Sequence, residues 1–183
     1  FGISVMQMDA GLDTGPVYKI AALEGPCLDM TSGELSVALS TLGAQTLKEV
    51  LLALDKYDLK PQPDGGASYA AKIKKAEACI SWSSSADAIC AHVRAFNPWP
   101  MAYCYLGQSR IRIACVALES AAITNEAPGT VVGIERRGVL VACGAGVVCV
   151  TRLQFPGKKM QDFSLFTAKP PIAVGMLFTG SAV

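Results

Sequence analysis

Histidine occurs once in this 183-residue chain, as His92, and none of the seven cysteines forms a Cys-x-x-Cys pair. Zinc sites draw three or four ligands largely from those two residue types, often at short spacings, so this pattern argues against a metal centre and no metal is expected. The cysteines (Cys27, Cys79, Cys90, Cys104, Cys115, Cys143 and Cys149) are odd in number and lack a disulfide spacing pattern. They read as reduced core thiols in a reducing compartment. Long hydrophobic runs are also missing: the apolar stretches at 138–150 and 170–183 stop short of the roughly 18 to 20 residues a membrane span needs. There is no internal repeat and no low-complexity tract. What remains, 51% hydrophobic and 17% charged residues, is the composition of a globular chain with one or two domains.

Charge is unevenly placed. Residues 1–66 hold 4 Lys+Arg against 9 Asp+Glu, a net of −5, while residues 67–183 hold 12 against 6, a net of +6. Local clustering rather than total charge sets the field a partner meets, so the second half suits a polyanion; ordinary surface solvation explains the same counts equally well.

Short β-rich runs at 3–8 and 16–23 flank a Gly/Asp turn at 9–15 and read as two consecutive strands. Thr31 followed by Glu34 is a capping-box pair, and Leu35, Ala38, Leu39, Leu42, Leu47, Val50, Leu51 and Leu54 approximate an apolar stripe, which predicts a helix over 32–54. Gly43 inside that helix suggests close packing. Residues 55–68 carry Pro61, Pro63, Gly65 and Gly66 and read as linker. A second helix is expected over 85–96, capped by Ser84 or Ser85 and stopped by Asn97-Pro98. Runs at 102–106, 110–118, 129–135, 138–143 and 147–153 then read as strands, and five or six at this spacing indicate a small barrel.

Two strings are distinctive: MQMDAGLDTGP at 6–16 and RAFNPWP at 94–100. Taken alone, Asp-Thr-Gly is most simply a tight turn, and an aspartic-protease reading fails for want of a second such motif. RAFNPWP ends a helix, blocks its continuation twice with proline, and offers Phe96 and Trp99 for burial, a structural role. Together with SYAAKI at 68–73 and ISW at 80–82, the two strings resemble the bacterial methionyl-tRNA formyltransferases, in the same order and over nearly the whole chain.

The resemblance implies an α/β plus β chain: a remnant of a Rossmann-like formyltransferase domain (1–57), a linker (58–79) and an OB-like β-barrel that binds tRNA (80–183). A chain that opens inside a strand is expected to be a C-terminal fragment, without the Asn and His that the family's active site also uses. Of that site Asp13 is matched, as the carboxylate that keeps an imidazole charged and orders a proton path. The main chain of Gln7, Met8, Asp9, Gly11 and Leu12 would line the pteridine pocket for 10-formyltetrahydrofolate, the formyl donor. His92, inside a helix, does not fit the family's catalytic histidine. The candidate contacts to the methionyl initiator tRNA are Lys72, Lys74, Lys75, Arg94, Arg110, Arg112, Arg136, Arg137, Lys158 and Lys159, with Arg110 and Arg112 on one sheet face by their spacing of two. The intact protein is expected to be cytoplasmic and monomeric. Two other readings are a stand-alone RNA-binding module and a folate-dependent formyltransferase with another acceptor.

Overall fold

The computed structural model describes residues 1–63, 65–119, 124–166 and 170–182. It divides into two compact units, Phe1–Lys72 and Ile73–Val183. Asp64, in the expected linker, lies outside the described residues.

In the first unit, β1 (Gly2–Met6) and β2 (Val17–Ala22) pair antiparallel, and the helix α1 (Ser32–Leu52) packs on both. The capping box forms as the sequence predicts: the Glu34 amide donates to the Thr31 hydroxyl and the Glu34 carboxylate accepts from the Thr31 amide at 2.8 Å. Those hydrogen bonds hold the Glu34 carboxyl below the usual carboxylate range. The expected apolar stripe holds only in part. Val50 is buried, as is Thr46, whose hydroxyl donates to the Leu42 carbonyl, but Leu47, Leu51 and Leu54 are exposed. Close packing at Gly43 is not found either: a Cβ built there meets nothing within 4 Å. Instead of a linker throughout, residues 55–68 begin in a short 3-10 turn (Leu54–Lys56), and Lys60 bridges to Val17 by reciprocal backbone hydrogen bonds of 2.8 and 3.0 Å.

The second unit is a mostly antiparallel sheet with one helix against it. The helix α2 (Ala86–Ala95) starts at Ser85, whose hydroxyl accepts from the Ala88 amide, and turns Ile89, Cys90 and Val93 inward. The strands β3 (Tyr103–Leu106), β4 (Ser109–Glu119), β5 (Val131–Glu135), β6 (Gly138–Ala142), β7 (Val147–Gln154), β8 (Gln161–Asp162) and β9 (Phe178–Thr179) lie in the order β5-β6-β7-β4-β3-β9, with β8 on β7. Alternation sorts the faces at the start of β4, while β6 and most of β7 are buried on both. In β4, Ile111 and Ile113 are buried while Arg110 and Arg112 are exposed. Register shifts between Ile113 and Val116 mark a bulge in this long strand. The two ends of the sheet are tied by main-chain hydrogen bonds: the Phe178 amide donates to Gly129 at 2.9 Å and the Val131 amide to Met176 at 2.8 Å. Trp82 stacks on Phe178 at 5.7 Å within the core, which also takes in Val139, Val141, Val148, Val150 and Leu153.

Four cysteines (Cys90, Cys104, Cys143, Cys149) are buried free thiols, and burial pushes the Cys143 thiol up to about 11. The reading of all seven as core residues is corrected at Cys115, which is exposed at the β4 bulge, and at Cys27 and Cys79, which are half-buried. Among the described residues no helix is long and apolar enough to cross a membrane.

Candidate functional site

Residues 7–16 join β1 to β2 in a turn that the sequence shapes closely. The Gln7 amide donates to the Pro16 carbonyl at 2.9 Å, and a Cβ at the buried Gly15 would collide with the Gln7 carbonyl oxygen, so the crossing needs glycine. The Asp9 carboxylate accepts from the Ala10 amide at 2.6 Å. Asp13 sits in the left-handed region at φ 55, which aspartate tolerates better than most residues. A residue no motif pointed to holds the turn: the Gln62 side-chain amide donates to the carbonyls of Asp13 and Gly15, both at 2.8 Å.

The turn presents its side chains outward. Gln7, Asp9, Gly11 and Asp13 are exposed, and Met8 and Leu12 are 88% and 77% exposed. Braced from behind and open in front, it offers a carboxylate, polar main chain and two apolar side chains to a ligand. His92 belongs to the second unit, where its ring packs on Phe96 at 4.6 Å and burial lowers its pKa, partly offset by a hydrogen bond with the Ala78 backbone.

On the second unit, the cations of β4 open onto two adjoining depressions. One, of about 290 Å³, is lined by Arg110, Arg112, Gln154 and Phe155; the other, of about 390 Å³, by Lys75, Trp99, Arg110, Arg112 and Gln154. The Arg110 guanidinium lies 3.6 Å from the centroid of the Tyr103 ring, a cation–π contact that fixes its direction. Arg112 donates to the Gln154 side chain at 3.3 Å, and Gln154 donates onward to the Lys158 carbonyl at 2.7 Å. That relay pins the turn carrying the exposed Lys158 and Lys159 to the edge of the same groove.

Trp99 corrects an expectation. Phe96 does pack against the core, but Trp99 is 58% exposed. The loop between them is braced by the Asn97 side chain, which donates to the Ala114 carbonyl at 2.8 Å, and by the Met101 amide, which donates to Phe96 at 2.9 Å. The Asn97–Pro98 and Trp99–Pro100 peptides are cis.

The remaining cations do not all converge. Lys72 and Lys74 are exposed, Lys72 at the end of the first unit and Lys74 just ahead of the short 3-10 turn Lys75–Ala78. Arg94 is half-buried on α2 and lines neither depression. Arg136 and Arg137 form the two-residue turn between β5 and β6. The Arg137 guanidinium pairs with Glu135 at 2.8 Å and with Glu119, which together hold it charged and offset its field. Glu119 ends β4, nine residues beyond Arg110 and roughly 25–30 Å away at about 3.3 Å per residue. The basic residues therefore divide into a groove group, a distant and partly neutralised pair, and Lys72, Lys74 and Arg94, which line neither depression. The spacing of two made Arg110 and Arg112 findable; nothing in the sequence marked Gln154, Tyr103 or Gln62, whose roles depend on neighbours remote in the chain.

A family model described as "Formyl transferase, C-terminal domain" matches residues 72–171. Among curated relatives, a methionyl-tRNA formyltransferase of Stenotrophomonas maltophilia is 46% identical over 162 residues, covering 86% of this chain and 52% of the relative. One of Roseobacter denitrificans is 37% identical over 182 residues, covering 99% and 57% respectively. The chain thus spans about half the length of the curated relatives it matches. Among solved structures, HypX from Aquifex aeolicus in complex with tetrahydrofolic acid superimposes with a TM-score of 0.63 at 15% identity, over 89% of this chain and 29% of that one.

Proposed function

The chain belongs to the formyl transferase C-terminal domain family, and from that premise we propose that the intact protein is a methionyl-tRNA formyltransferase, with the basic groove of the second unit as a tRNA-binding surface. The observation that carries this reading is the convergence of Lys75, Arg110, Arg112 and, through Gln154, the Lys158 turn on one groove. Such a cluster neutralises phosphates and positions a nucleic acid without reading much of its sequence. Lys159 extends the surface; Lys72, Lys74, Arg94, Arg136 and Arg137 would be separate phosphate contacts outside the groove. The acceptor is inferred from the names of relatives at 37% and 46% identity.

In this reading residues 1–57 are the last part of a Rossmann-like catalytic domain, 58–79 a linker, and 80–183 an OB-like barrel, supported by the hydrogen bonds that tie Gly129 and Val131 to residues 176–178. The formyl donor is 10-formyltetrahydrofolate, consistent with the tetrahydrofolic acid bound to HypX. The turn suits such a donor, because exposed Met8 and Leu12 beside the polar main chain of Gln7, Asp9 and Gly11 match a flat heterocycle with polar edges. The donor supplies the formyl carbon. Asp13, set outward by its own backbone and by Gln62, would orient an imidazole and hold the proton path to the leaving nitrogen. A cytoplasmic monomer completes the proposal.

Titration of uncharged initiator tRNA across a salt series tests it. Affinity is expected to fall as salt rises, and Lys158→Glu/Lys159→Glu to weaken binding and flatten the slope, by about 0.7 to 0.9 in log–log terms for each phosphate that is no longer neutralised. A chain that ignores tRNA at low salt overturns the reading.

A further inference from the structure

Phosphate neutralisation leaves Trp99 unexplained. Packed tryptophans bury roughly 150–250 Å², yet this one is 58% exposed while Phe96, three residues earlier, reaches the core. The exposure does not come from a loosely held loop. Asn97 ties the loop to β4 through Ala114, Met101 closes it on Phe96 with φ 75, and Pro98 and Pro100 flank Trp99 in the chain with little backbone freedom of their own. The groove into which Trp99 faces also holds Lys75, Arg110 and Arg112. Arg110 already covers the Tyr103 ring, so the indole is the aromatic face left open there.

We propose that Trp99 is a stacking platform for one unpaired base of the bound RNA, with Lys75, Arg110 and Arg112 holding the phosphates on either side. A flat π surface among cations is how single-strand binders hold a nucleotide regardless of sequence, because every base offers a π face. Bases inside a duplex are stacked on each other and have no such face free, so this part of the groove selects single-stranded RNA. The braced loop matters for affinity: an indole already fixed in place loses little entropy on stacking. The inference rests on the RNA-binding reading of the groove and adds a base contact to it.

The test is a titration of the 183-residue chain against three end-labelled RNAs, read by label anisotropy in every variant and by indole fluorescence where Trp99 is present: a single-stranded hexanucleotide, its abasic counterpart with the same phosphates, and a blunt duplex. Binding of the hexanucleotide is expected to quench the exposed indole. The abasic strand should bind about 5- to 150-fold more weakly, the span that removal of one base–aromatic stack implies. Trp99→Ala should weaken binding of the intact strand by the same factor and leave the abasic one unchanged, while Trp99→Tyr retains most of the affinity. Trp82, 4% exposed, reports in every variant that the core is intact. Equal affinity for intact and abasic strands, with salt dependence preserved, overturns the stacking proposal and leaves the RNA reading standing. Failure to bind any of the three at low salt overturns both.

Discussion

The imidazole of His92 is disfavoured in its charged form by burial, so its pKa in the folded chain lies below the ordinary value of 6.5. The sign of the consequence follows from proton counting. Between the lowered folded value and 6.5 the unfolded chain binds more protons, so stability falls as pH drops through that window and is flat below it. Urea midpoints followed by Trp82 fluorescence are expected to decline as pH is lowered below 6.5, and His92→Gln to remove part of the decline. An unchanged slope in the variant would show that the ring gains its proton in the folded state as easily as in the unfolded one. Individual residues also show where sequence reading stops. Asp13 and Arg110 could be singled out by motif and spacing, whereas Gln62 acts on a turn 47 and 49 positions away and carries no local mark of doing so.

Among the elements, α1 holds a defect that can be repaired. Gly43 lies mid-helix with open space where its Cβ would be, so its conformational freedom serves no contact. Gly43→Ala is expected to stabilise the first unit by about 0.5–1 kcal/mol, read as a shift in the denaturation midpoint; a destabilised variant would mean that the site is tighter than its surroundings indicate. The elements were the most legible part of the sequence. The strands β3 to β7 lie within two residues of the bounds that β-rich runs and turn residues set, because Gly, Asn, Pro and charged residues punctuate them, although β6 and most of β7 are buried on both faces. By contrast, β8 and β9 are two residues each, too short to carry a period, and exist through pairing with β7 and β3. In α1 the periodic leucines misled: Leu47 and Leu51 fit the stripe yet are exposed, while the polar Thr46 is buried because its hydroxyl bonds back to the helix.

For the molecule as a whole, the second unit carries most of the buried side chains, and Phe178 is the largest of those fully enclosed. It meets Trp82 from the far end of the unit. Phe178→Ala is expected to cost about 3–5 kcal/mol, with a breakdown of cooperative unfolding monitored by Trp82, whereas a surface change such as Arg136→Ala should stay within about 0.5 kcal/mol. Equal, small effects of both would place the centre of the core elsewhere. The charge asymmetry was legible because it needs only counting; the groove was not, because it is assembled by Lys75, the Pro-rich loop, β4 and the Lys158 turn from four separate stretches of chain.

The hydrogen bonds from residues 176–178 to Gly129 and Val131, together with the pairing of β9 on β3, have a consequence in time. A growing chain can form the β3–β4 and β5–β6 hairpins as soon as they leave the ribosome, but both outer margins of the sheet wait for residues 176–179, more than forty positions after β5. Until those arrive, Tyr105 and Leu106 on one side and Val131 on the other lack their partners, and Trp82 lacks the ring it stacks on. Sequence-distant pairings of this kind close late and slowly. The unit therefore completes its sheet only once residues 176–178 have emerged, and a nascent chain stalled before residue 175 exposes unpaired strand edges to aggregation and to chaperones.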